Sequence, residues 1–125
     1  MTTTMSSIHT FDPGDFLIFQ LESGYALLRV LDLEDRGSDP VWHVAVYSDL
    51  FLDPEMAETA IDDSSSLSIA IPHVALTNRA FESTQVAKMR NADLTEADLI
   101  GYETWKMSGD RQISDRSVRL LLGLR

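Results

Sequence analysis

Residues 11–49 read FDPGDFLIFQLESGYALLRVLDLEDRGSDPVWHVAVYSD, and the punctuation of this stretch decides the fold. Asp12-Pro13-Gly14-Asp15 is a turn, because Pro13 presets φ and Gly14 tolerates the positive φ that a type II turn demands. A strand over residues 16–21 follows, and Glu22-Ser23-Gly24 reverses the chain into a second strand over residues 25–33. There Tyr25, Leu27, Arg29 and Leu31 share one face, and Ala26, Leu28 and Val30 share the other. Both faces are mostly apolar, which places this strand centrally. After the polar loop at residues 34–40 comes a third strand over residues 41–49, with Trp42, Val44 and Val46 on one face and His43, Ala45 and Tyr47 on the other. Three strands joined by short connections make an antiparallel meander.

Downstream, Asp53-Pro54 is a helix start, with Asp53 as N-cap and Pro54 in the first helical position, running to Ile61. Asp62-Asp63-Ser64-Ser65-Ser66 reads as a surface loop. Residues 67–71 and 74–76 read as strand segments broken at Pro72, a residue that suits an edge position or a bend. Residues 86–89 form a weaker fifth strand. In Leu94-Thr95-Glu96-Ala97-Asp98-Leu99, Thr95 caps a helix, Asp98 reciprocates and Leu94 staples onto Leu99, which predicts a helix from Glu96 to about Lys106. Ile113-Ser114 followed by Val118 predicts another over residues 115–122, ended by Gly123; the alternation of Val118, Leu120, Leu122 and Leu124 leaves a strand open there. The expected architecture is one α+β domain over residues 11–125 after a loose tail at 1–10. Its core is a strongly bent antiparallel sheet of SH3-like barrel type, with two or three helices covering the open side.

The 125 residues are 44% hydrophobic and 24% charged, a composition that supports a packed core without staples. Without cysteine there are no disulfides, thiolate zinc sites or thiol nucleophiles. No apolar run is long enough for a bilayer span, and the first ten residues lack the pattern of a secretory signal, so a cytoplasmic protein without a membrane role is expected. The net charge of −10 is concentrated: residues 1–63 carry 13 acids against Arg29 and Arg36, whereas residues 64–125 carry 7 acids against 8 bases. Such charge repels nucleic-acid backbones and anionic lipid, and steers a cationic partner toward the first half.

Few residues announce chemistry. His9, His43 and His73 stand far apart in sequence, without metal-site spacing. A histidine mid-strand, as His43 is, is more often a partly buried residue satisfied by a local hydrogen bond than a base. The loop at residues 32–37 resembles a calcium loop only until Arg36, and His43 stands where the closing glutamate belongs. No nucleophile elbow, P-loop or dinucleotide fingerprint occurs, so no catalytic residue, metal or cofactor is expected. Arg29 is the only base on the first three strands, and it is expected to pair with an acid such as Asp49. The candidate binding surface is the acidic loops, with Asp32, Glu34, Asp35 and Asp39 in one and Asp49, Asp53, Glu55 and Glu58 in the other.

The run Phe11-Asp12-Pro13-Gly14-Asp15-Phe16-Leu17-Ile18, with Gly24-Tyr25-Ala26-Leu27-Leu28-Arg29-Val30, looks like the opening hairpin of small SH3-like barrels. Within that group it resembles the immunity protein 26 family of bacterial polymorphic toxin systems over about the first 50 residues. The resemblance implies a non-enzymatic protein that binds and neutralises a cognate toxin inside the producing cell, and the acidic first half suits a basic nuclease as that target. The same Gly14-Asp15 hairpin is also similar to ribonuclease toxins of the MazF and CcdB fold, but those require a basic RNA groove and an Arg-Pro where this chain has Asp39-Pro40. The expected function is therefore an acidic protein-binding module, the alternative being a small enzyme or ligand-binding domain, including a degenerate ribonuclease fold.

Overall fold

A computed structural model describes residues 11–35 and 39–123; the expected tail, His9 and Arg36 lie outside them. Five strands form one antiparallel sheet in the order β4-β3-β2-β1-β5. They are β1 (Asp15–Leu21), β2 (Gly24–Glu34), β3 (Val41–Tyr47), β4 (Ile69–Thr77) and β5 (Ala87–Asn91). The helices are α1 (Pro54–Asp62), α2 (Asn78–Thr84), α3 (Glu96–Met107) and α4 (Val118–Leu121). The sheet is open, with β4 and β5 as its edges, and no helix among the described residues is long and apolar enough to cross a membrane.

Successive residues of β1, β2 and β3 are buried because helices cover both faces of the sheet. On one face Leu17, Phe19, Leu28, Val30, Trp42, Val44 and Val46 pack with Phe81 of α2 and Val118 of α4. On the other, Phe16, Ile18, Leu27 and Tyr47 meet Ala57 and Ile61 of α1, and Leu31 and Ala45 meet Tyr102 of α3. The expected division of faces on β2 and β3 is the observed one as far as Leu31.

Local signals set most boundaries. Asp53 accepts the Met56 N–H at 2.9 Å ahead of α1. Thr95 and Asp98 exchange backbone hydrogen bonds as a complete capping box at α3, and Leu94 and Leu99 pack against the same cluster. Three expectations need correction. Pro72 does not break β4, because on an edge strand its missing N–H costs no ladder bond. Helix α2, capped by Thr77, was not anticipated. The last helix is one short turn capped by Ser117, and Ser114 instead bridges Leu76 in a parallel sense along the edge of β4.

Candidate functional site

Among the described residues, a β-bulge on β2 brings a group of titratable side chains together. Arg29 and Val30 pair with Ala45 and Val44, but the next pair is Asp32 with His43, so Leu31 and Asp32 stand together against one step of β3. Without the bulge Asp32 and Glu34 would alternate onto the face opposite Leu31. With it they join Leu31 under α3, and Leu33 turns to the other core.

There Glu34, His43 and His73 form a line. His43 is fully buried, with Nε2 2.7 Å from Glu34 Oε1 and Nδ1 2.9 Å from His73 Nε2. One proton assignment satisfies these contacts with both rings neutral: His73 Nε2–H donates to His43 Nδ1, and His43 Nε2–H donates to the Glu34 carboxylate. Burial, and secondarily the charge that His43 can carry, lower the His73 pKa to about 4. Beside the line, Tyr102 Oη donates to Asp32 Oδ2 at 2.7 Å. Burial, that hydrogen bond and nearby Glu34 and Glu103 keep the phenol protonated well above its ordinary range. Trp105 packs 4.8 Å from His43 and 5.4 Å from His73, and the Lys106 ammonium lies 4.5 Å above the Tyr102 ring. Gly101 permits this close seat of α3, since a Cβ there would come within 3.0 Å of His73 Cβ and 3.1 Å of the Pro72 backbone.

His43 is thus satisfied by side chains from two other parts of the chain rather than by a local hydrogen bond. Arg29 is buried as expected, but its acid is Asp98, at 3.1 Å, and not Asp49. The guanidinium also donates to the carbonyls of Ala92 and Asp93 and lies over the Phe16 ring, which ties the start of α3 to the sheet. Asp49 instead accepts the Ser68 N–H at 2.6 Å.

The eight acids named from sequence fall into two groups at opposite ends of β3. Asp32 and Glu34 are turned inward to Tyr102 and His43, while Asp35 and Asp39 are exposed. At the other end Asp53 caps α1, Glu55 is exposed and Glu58 faces Arg90 at 3.8 Å. That second group borders an apolar knob that sequence reading missed. Leu52 is 80% exposed, and Met56 and Leu50, close to it in sequence, are about half exposed. Phe51 between the leucines packs inward, and its N–H and C=O exchange hydrogen bonds of 2.9 and 2.8 Å with Tyr25. Gly24, at φ +152°, lets this happen: a Cβ there would meet the Phe51 carbonyl oxygen at 2.6 Å. The loop is therefore clamped, and its leucines face outward.

No protein-family model, curated protein or solved structure matches the chain.

Proposed function

We propose that the chain is a protein-binding module whose partner presents a basic, amphipathic segment to the knob of Leu50, Leu52 and Met56 and its rim of Asp49, Asp53, Glu55 and Glu58. The observation that carries the reading is the fixed outward presentation of Leu52 beside the clamped Phe51. Apolar side chains held out by a rigid loop lose little conformational freedom on binding, and burying such an anchor contributes about 1.5–3 kcal/mol. Residues 49–63 contain six acids and no base, and although Arg90 offsets Glu58 and Asp62 the remaining charge favours a cation, speeds its encounter and disfavours nucleic acid and anionic membranes. The resemblance of the first hairpin to the immunity protein 26 family makes a basic toxin the partner class to try first, with an SH3-like ancestry for the sheet.

The test is capture from lysate by the tagged chain and by its Leu52→Asp variant, followed by association kinetics with whatever basic protein is retained. Binding should weaken at least about tenfold in the variant, as hot-spot anchors do. Association should also slow with added salt and in an Asp53→Asn, Glu55→Gln, Glu58→Gln triple variant, in which the asparagine side chain still caps α1. Equal capture by wild type and Leu52→Asp would refute the assignment of the knob.

A further inference from the structure

We propose that His73 is a reactive imidazole, an acyl-accepting group whose Nδ1 is served by a proton relay through His43 to Glu34; it lies toward the other end of β3 from the knob. The two rings are tilted by only 17°, and their centroid separation of 5.1 Å exceeds the 2.9 Å between Nδ1 and Nε2 by about the width of one ring. They meet edge to edge in nearly one plane, which aims the lone pair and the N–H of that bond along a single line. The relay also has direction. Its inner ring is fully buried and its outer ring, His73, is half-buried. None of the described residues hydrogen-bonds His73 Nδ1, and contact with the Tyr102 and Trp105 rings fixes the ring's orientation.

Core filling alone accounts poorly for the arrangement. Apolar side chains of similar volume would fill this space without burying His43 outright and Glu34 and His73 in part, and the carboxylate reaches His43 only through a bulge that turns Glu34 inward. A carboxylate orienting an imidazole, which in turn receives a proton from a second imidazole, is a general arrangement for activating a nucleophile.

The fitting substrate class is an activated carbonyl, such as an ester or mixed anhydride of a small acid. The Nδ1 lone pair attacks the carbonyl carbon, the new N–C bond forms, and the C–O bond to the leaving group breaks with its electron pair. The positive charge left on the acylated ring is relieved when its Nε2 proton passes to His43 Nδ1. The resulting imidazolium keeps its Nε2–H on the Glu34 carboxylate. His43 and Glu34 are positioning residues in this step. Among the described residues, Asp32 from β2 and Tyr102, Glu103 and Lys106 from α3 also face the relay.

Diethyl pyrocarbonate is the probe, applied to the full chain with the modified histidine located by peptide mass mapping. An ordinary histidine of pKa 6.5 loses about thirtyfold in neutral fraction between pH 7.5 and 5, as N-acetylhistidine does. Because burial keeps its ring neutral, His73 should react at pH 5 within about threefold of its rate at pH 7.5, and faster there than the standard. Glu34→Gln should slow it at least fivefold while circular dichroism is unchanged. Reaction at pH 5 no faster than N-acetylhistidine, or an unchanged rate in a folded Glu34→Gln variant, would overturn the proposal. If that variant does not fold, imidazole nitrogen NMR of the wild type decides: the proton should sit on His73 Nε2, and a proton on Nδ1 excludes the relay.

Discussion

The fold holds the His73 imidazole in a form that acid disfavours, and this couples one residue to the stability of the chain. Its pKa is about 4 folded against 6.5 in the free side chain, lowered first by burial and then by His43. Between those values the unfolded chain binds more protons than the folded chain, so stability falls as pH drops from about 6.5 to about 4. Allowing for solvent screening at a half-exposed ring, the loss from this residue is about 1–2 kcal/mol. A His73→Gln variant removes it, so urea unfolding at pH 7 and pH 4 should give a smaller stability difference in the variant than in the wild type. Equal differences would mean that folding leaves the titration of His73 unaltered. Arg29 makes the opposite case at the same scale. Its burial under α3 is matched by Asp98 and the backbone carbonyls of Gly14, Ala92 and Asp93. Its need for a carboxylate was legible in the sequence; the identity of that carboxylate, 69 residues away, was not.

Elements with short-range signals were readable, and those set by their neighbours were not. The capping box at Thr95 and the Asp53-Pro54 start each lie within four residues and appear where expected. Helix α2 has only seven residues, and its apolar contacts come from the sheet below rather than from a visible stripe. The bulge in β2 left no mark on the alternation of Leu31, Asp32, Leu33 and Glu34, which is why two carboxylates expected at the surface turn inward. Gly101 is the element-scale counterpart. Alanine there gains about 1 kcal/mol of helix propensity, but its Cβ would press on His73 Cβ at 3.0 Å and on Pro72 at 3.1 Å. Pro72 contributes backbone at that contact and cannot swing aside, so Gly101→Ala should lower stability by a net 1–2 kcal/mol or so and raise the exposure of Trp105. A variant as stable as the wild type, with Trp105 fluorescence unchanged, would show that α3 rides on the sheet with room to spare.

Across the whole molecule the sheet is the middle of three layers, and that arrangement explains which parts of the candidate sites could be foreseen. Strands apolar on both faces demanded cover on both sides, yet the expectation put helices on one side only. It therefore did not anticipate α2, nor that the expected last helix would lie on the Trp42 face, nor the way α3 brings Tyr102 against His43 and His73. Trp42 tests whether the layers are one unit. It is 2% exposed, stacks on Phe81 of α2 with centroids 4.0 Å apart, and donates through Nε1 to Asn78 at 2.9 Å. Trp42→Ala removes that stack and leaves a cavity between α2 and the sheet, so it should cost about 3–5 kcal/mol in urea unfolding. The slope of the transition carries the second half of the test, because it scales with the surface exposed on unfolding. A large loss with an unchanged slope is the expected result for layers that unfold together. A reduced slope would mean that α2 and α4 detach before the sheet does, and a loss below about 1 kcal/mol would mean that their layer contributes little to global stability.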